Sequence, residues 1–246
     1  VTAAVLVTGG AKRLGAAIAR RLAADGHRVV IHYRSSADEA HATAAEIGAS
    51  TVQGDLSDLA ALPRLFAAAR EAAGMPIAGL VNSASRFEFD RPERFDAALL
   101  QSLVATNIAA PVALAAELAR QPDLAEGVVI NLLDQKLANP NPDFFSYTLT
   151  KTALEGATIM LAQALAPRVR VNAVAPGLTL PSGGQSAKEF EQVARRNLLE
   201  RPVGAESVAD AVAWLIGARS VTGQTIFVDS GQRFCKRDGD VMFAAD

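Results

Sequence analysis

Apolar residues cluster in seven short runs along the chain, at 3–8, 27–33, 50–53, 78–82, 126–133, 168–174 and 224–228. Longer stretches with apolar positions at helical spacing separate most successive pairs. Runs that are apolar at nearly every position suit strands covered on both faces, because an exposed face would demand alternation. Strands alternating with helices predict right-handed crossovers and an α/β fold: a Rossmann-like, doubly wound parallel sheet of about seven strands with helices on both faces. No solenoid repeat or low-complexity linker interrupts the pattern, so one domain over 1–246 is expected, large enough for a substantial core. The exception to compactness is PGLTLPSGGQSAKEF at 176–190. Its prolines and glycines read as a mobile loop over the carboxyl edge of the sheet, where open α/β folds bind ligands, and a substrate loop is expected near 176–197.

Composition narrows the partners. Half the residues are hydrophobic, 20% are charged and the formal net charge is −2, so no basic field favours nucleic acid. Cys235 is the only cysteine; an intramolecular disulfide is excluded, and a reducing, cytoplasmic setting is the simplest expectation. No stretch reaches the roughly 18 uninterrupted apolar residues of a membrane span, and no basic region precedes the apolar N-terminal run. His27, His32 and His41 are too scattered to form a metal site. Trp214 falls on the apolar face of a helical stretch and reads as core or subunit contact, Lys136 as a substrate contact or a solvated charge, and Val241 to Phe243 as an apolar tail docking on this chain or a neighbour.

Chemistry is first suggested at the end of the first run. Gly9, Gly10 and Gly15 lie between the apolar Val5 to Val7 and an amphipathic helical stretch. Glycines let the backbone approach a pyrophosphate, and the next helix offers unpaired N–H groups to it. A phosphate-bearing cofactor is expected. Dinucleotide folds that prefer NAD commonly carry a carboxylate after the second strand, yet residues 31–36 contain none. Arg34 stands there with Ser35 and Ser36, and a guanidinium can pair with an adenosine 2′-phosphate. Arg13 approaches the same phosphate from the other side, whereas Lys12 reads as solvated. The expected cofactor is NADPH.

Tyr147 and Lys151 lie at i and i+4 in FSYTLTK, on one face of a helical stretch, with Asp134 thirteen residues upstream at the end of an apolar run. Moving a tyrosine pKa from about 10 to about 7 takes roughly 4 kcal/mol. The Lys151 ammonium is expected to favour the phenolate and poise the phenol for proton transfer, but not to supply that alone, so a second positive charge such as an oxidised nicotinamide is the natural helper.

With these motifs in place, the chain resembles the short-chain dehydrogenase/reductase family along nearly its whole length. TGGAKRLG at 8–15, with Arg13 in place of the middle glycine, DL at 55–56, NSAS at 82–85, Asn107, YxxxK at 147–151 and PG at 176–177 follow in family order. AKRLG, HYRSS at 32–36, NSASRF at 82–87 and Asp134 in place of the usual serine resemble its pteridine and dihydromonapterin reductases. The resemblance implies that Gly9, Arg13, Leu14, Gly15, Tyr33, Arg34, Ser35, Asp55, Leu56, Asn82, Ser83, Ala84, Tyr147, Lys151, Pro176 and Gly177 hold the cofactor. It also implies that Asn107 supports a water relay to Lys151, that Ser85, Phe87, Asp134 and Tyr147 meet the substrate, and that the protein is a homotetramer. Phe87 is expected opposite the nicotinamide, with a flat substrate between them; Arg86 is expected near the substrate's tail or the cofactor phosphates.

Asp134 decides the substrate class. A serine donates to a ketone oxygen, whereas an ionised carboxylate only accepts and repels a developing alkoxide. Either Asp134 is protonated or the substrate presents N–H donors, as a pterin does. Three functions remain open: reduction of a dihydropterin C=N bond, reduction of a ketone, sugar or 3-oxoacyl carbonyl, and non-catalytic cofactor sensing on the same fold.

Overall fold

The computed structural model describes residues 3–181 and 186–243. All seven apolar runs are strands: β1 (Ala4–Thr8), β2 (Arg28–Tyr33), β3 (Ser50–Gln53), β4 (Ile77–Asn82), β5 (Gly127–Leu132), β6 (Val169–Pro176) and β7 (Thr225–Val228). Their limits differ from the apolar runs by one or two residues, because strand ends follow the hydrogen-bonded ladder rather than hydropathy. β6 runs on through Pro176, which pairs with Val228; a proline is tolerated at the end of a strand. Every pairing is parallel and the order is β3-β2-β1-β4-β5-β6-β7.

Eight helices connect and cover the strands: α1 (Arg13–Ala24), α2 (Ala37–Ile47), α3 (Leu62–Ala73), α4 (Ala97–Val104), α5 (Ala110–Arg120), α6 (Phe145–Leu165), α7 (Ala187–Ala194) and α8 (Ala205–Gly217). Ile18 and Leu22 of α1 and Val208 and Val212 of α8 pack with Val5, Val7 and Ile31 on one face of the sheet. Leu65 and Phe66 of α3 and Leu114 and Leu118 of α5 pack with Leu6, Leu80 and Val129 on the other. Each such fully buried side chain contributes about 1.5–3 kcal/mol.

A π turn at Ala105–Ala109 joins α4 to α5, so Ala97–Arg120 is continuous. That helix is long and apolar enough, by length and composition, to cross a membrane. Here it packs against α3, α6 and β4, and polar Gln101, Ser102 and Asn107 interrupt its apolar run.

The strand order reverses between β1 and β4, which opens a crease at their carboxyl ends. Thr8 Oγ1 stitches it, donating to Val81 O at 3.3 Å and accepting from Ala84 N–H at 3.1 Å. Residues 178–181 follow β6 without regular structure, and residues 182–185 of the expected substrate loop lie outside the described residues.

Candidate active site

The crease holds a cleft of about 340 Å³, and Gly9, Arg13, Leu14, Gly15, Arg34, Asp55, Leu56, Ser83, Ala84 and Ser85 all line it. Two glycines are dictated by contact. A Cβ on Gly15 would sit 2.2 Å from Gly9 O, and one on Gly9, whose φ is +63°, would meet Ala84 Cα at 3.0 Å. This tight cradle, with Arg34 at its rim, fits a phosphate-bearing dinucleotide. Arg13 itself adopts φ 55°, the left-handed conformation that glycine accepts freely and other residues enter at a cost of about 1–2 kcal/mol. Its guanidinium donates to Pro181 O at 2.6 Å, joining the glycine-rich turn to the segment after β6. Lys12 is exposed and 3.9 Å from Glu39.

His32 is a site residue that the sequence pattern hid. Its ring is buried in β2 beneath the glycine-rich turn. Nδ1 accepts from Gly9 N–H at 3.2 Å, and Nε2 lies 3.1 Å from Gly54 O, which requires the neutral tautomer with the proton on Nε2. Burial lowers its pKa to about 4. An isolated histidine in a β-run carries no local sign of such a task; its position opposite the turn, one strand over, would have been the clue.

Not every expected cofactor residue faces the cleft. Tyr33 is buried in the core, its ring edge-on to His41 at 5.8 Å, and Ser35 is exposed at the start of α2. Asn82 donates to Asn131 Oδ1 at 2.8 Å, and Asn131 in turn donates to Thr158, so its amide ties β4 to β5 and α6. Pro176 ends β6, and Gly177 N–H donates to Val228 O; a Cβ at Gly177 would lie 2.7 Å from Gln232 Oε1.

Tyr147, Lys151 and Asp134 do come together, the first two buried and Asp134 partly so, at the amino end of α6 and the carboxyl end of β5. Helix α6 begins abruptly, since Phe144 has φ 53° and no side chain of its own caps it. Asp90 supplies the cap from fifty-six residues upstream: its carboxylate accepts from Ser146 N–H at 3.0 Å and Ser146 Oγ at 2.5 Å. Tyr147 is thereby set with its hydroxyl donating to Asp134 Oδ2 at 3.0 Å. The other carboxylate oxygen, Oδ1, accepts from Lys136 N–H at 2.9 Å and caps the short 3-10 turn Gln135–Ala138. Capping and contact with the phenol are thus shared between the two oxygens of one residue.

Among the protein's own groups, Asp134 rather than Lys151 is the one that touches the phenol. Lys151 Nζ donates to Leu132 O at 2.7 Å and lies 5.5 Å from the centre of the Tyr147 ring, whereas Asp134 touches the hydroxyl. Burial, then the charge and hydrogen bond of Asp134, hold the Tyr147 pKa well above 10. Burial raises Asp134 above the usual carboxylate range and lowers Lys151 to about 8.

Asn107, buried in the π turn, uses its whole side-chain capacity on protein groups. Oδ1 accepts from Arg86 N–H at 2.9 Å and Ser85 Oγ at 3.3 Å, while Nδ2 donates to Arg86 O at 3.0 Å and Thr150 Oγ1 at 3.1 Å. It clamps the loop after β4 to α6. Phe87, on that loop, stacks on Phe144 at 4.1 Å and meets Tyr147 edge-on at 4.7 Å. The Arg86 guanidinium reaches Glu88 and Ser102 while also lining the cleft.

One reading of a single residue needs correction and another is narrowed. Lys136 is neither solvated nor open to a substrate: it is 4% exposed, paired with Asp240. Trp214 is 55% exposed and points away from the buried stripe of α8, which removes the core alternative and leaves that of a subunit contact.

Comparison with known proteins places this geometry. Residues 9–233 match the family described as enoyl-(acyl carrier protein) reductase. Over 231 residues the chain is 27% identical to dihydromonapterin reductase of Enterobacter sp. (strain 638), covering 93% of this chain and 95% of that protein. Over 247 residues it is 35% identical to 3beta-hydroxysteroid dehydrogenase 1 of Eggerthella lenta, covering 92% of each. The crystal structure of FolM alternative dihydrofolate reductase 1 from Brucella canis, complexed with NADP, superposes with a TM-score of 0.88 at 42% identity over 94% of each chain. With the family model matching most of its length and the Tyr147–Lys151 pair built into the expected helix, the chain belongs to the short-chain dehydrogenase/reductase family of oxidoreductases.

Proposed function

We propose that the protein reduces a C=N bond of a dihydropterin with NADPH, Tyr147 delivering the proton to nitrogen. The observation that carries this reading is the 3.0 Å contact between Tyr147 and Asp134. A carboxyl group beside the proton donor suits a substrate ring that presents N–H groups, and it suits a ketone oxygen poorly while ionised.

Gly9, Gly15, Ser83 and Ala84 would hold the dinucleotide's backbone, and Arg34 its 2′-phosphate, with no carboxylate at 31–36 to prefer a free ribose. When bound, NADPH supplies the hydride. The chain's own groups handle the proton: Tyr147 holds it tightly before reaction, because burial and Asp134 oppose the phenolate. A phenolate formed after transfer gains from the Lys151 ammonium one helical turn away and regains its proton from solvent, while Asp134 stays an acceptor for the substrate's N–H groups. The NADP in the Brucella canis structure and the name of the Enterobacter relative support the same reading.

A second reading, reduction of a ketone, is favoured by the identity to the hydroxysteroid enzyme. In that reading Asp134 works protonated, as a donor. NADPH oxidation against dihydrobiopterin, dihydromonapterin, dihydrofolate and several ketones separates the two. Efficient turnover of at least one dihydropterin is expected; turnover of ketones with none of any dihydropterin overturns the pterin reading.

A further inference from the structure

The end of the described chain is tied to the wall of this site. Lys136, two residues past Asp134, is buried, and its ammonium donates to Asp143 O at 2.5 Å and pairs with Asp240 at 2.7 Å. Asp240 N–H donates in turn to Asp143 Oδ2 at 2.9 Å. A buried ammonium needs a counter-charge, and a residue 104 positions away in the chain provides it. The charge of Asp240 is also felt at both Asp134 and Tyr147.

Beyond this anchor, Val241 is buried, and the ring of Phe243 lies parallel to that of Phe144 at 5.8 Å and edge-on to Phe89 at 5.4 Å. Phe144 stacks on Phe87, which meets Tyr147. A run of rings therefore leads from the tail to the proton donor. Phe87, Phe89 and Phe243 keep 41%, 54% and 55% of their surface exposed. Of these three clustered, solvent-facing rings Phe87 touches Tyr147 and the other two extend the apolar surface away from it through Phe144.

We propose that Asp240–Phe243 is a substrate-specificity element: the Lys136–Asp240 pair pins the tail, and Phe243 extends an aromatic wall that selects ring-shaped substrates over small aliphatic ones. Phe243 is the contacting residue; Lys136, Asp143 and Asp240 are positioning residues. The proposal rests on Tyr147 being the proton donor, as in the proposed function, but not on the substrate being a pterin.

The test is a selectivity ratio, kcat/KM for a ring substrate divided by kcat/KM for a small alkyl ketone, measured with dihydropterins and an aryl ketone as the ring substrates. Stacking of one ring corresponds to about three- to tenfold in affinity. In Phe243→Ala the ratio falls by about that factor, through a higher KM for the ring substrate, with NADPH affinity by fluorescence titration unchanged. Lys136→Met lowers the ratio in the same way, and Lys136→Arg restores it. Should Lys136→Met fail to fold, the half-exposed Phe243→Ala variant still decides. An unchanged ratio in folded Phe243→Ala overturns the proposal. An enzyme that reduces the aryl ketone and no dihydropterin overturns the pterin reading alone, and the ratio for aryl over alkyl ketone then judges the wall.

Discussion

Tyr147 and Asp134 share one hydrogen bond, and removing either end has different consequences. Tyr147→Phe keeps the ring against Phe87 but removes the proton, so reduction is expected to fall about 100-fold or more while NADPH still binds; steady-state kinetics with a parallel fluorescence titration checks both halves. Asp134→Ser replaces an acceptor with a donor, and is expected to lower kcat/KM for dihydropterins while sparing or raising that for small ketones. Arg34→Asp is expected to narrow or reverse a preference for NADPH over NADH, visible in the ratio of kcat/KM for the two cofactors; an unmodified protein with equal values for both would remove Arg34 from cofactor choice. His32 adds a pH dependence. Its pKa falls from 6.5 in the unfolded chain to about 4 in the fold, so the unfolded state takes up the proton first as pH drops. The contribution is complete above 6.5 and is lost between 6.5 and 4, up to about 3 kcal/mol. Urea midpoints measured from pH 7 to pH 4.5 should therefore fall more steeply for the unmodified protein than for His32→Gln, from which this titration is absent.

Among the elements, the strands were the easiest to read, because a parallel sheet buried on both faces leaves its strands apolar at almost every position, as in Val5 to Val7 and Val128 to Ile130. The glycine-rich turn and the Tyr147–Lys151 pair were legible for a similar reason: each is a local spacing. What stayed hidden depends on partners far along the chain. Asp90 gives no sign in its own neighbourhood that it caps α6, nor Lys136 that its counter-charge is Asp240. The Asp134 contact with Tyr147 stayed hidden on the same ground, since the Lys151 partner at i+4 was visible and the closer Asp134 contact depended on how β5 meets α6. The Asp90 cap carries its own prediction. Asp90→Ala leaves Ser146 N–H and Oγ without their acceptor at the buried start of α6, and should cost about 2–4 kcal/mol by chemical denaturation. Asp90→Asn, which keeps an acceptor oxygen, should recover part of it.

At the scale of the whole molecule, one crease between β1 and β4 assembles the cleft, and its two lips are distant in sequence: Gly9 touches Ala84, and Thr8 holds Ala84 and Val81. β1 lies inside the sheet next to the central strand β4, close in sequence to β2 but reaching β4 only across about seventy intervening residues. Closing so long a connection is the slow part of forming a parallel sheet. The ligand cleft is therefore expected to be one of the last features of the molecule to form during folding, after the parallel β1-α1-β2 crossover unit. In stopped-flow refolding, far-ultraviolet circular dichroism should recover ahead of NADPH fluorescence enhancement, and a Leu80→Ala substitution on the β4 side should slow the second signal more than the first. Coincident recovery of both would mean that the two halves of the sheet condense together. If the crease holds the cofactor as proposed, it is also the closing seam of the fold, so a nascent or partly unfolded chain is expected not to hold the dinucleotide, and dinucleotide in solution should act as a ratchet on the finished state alone.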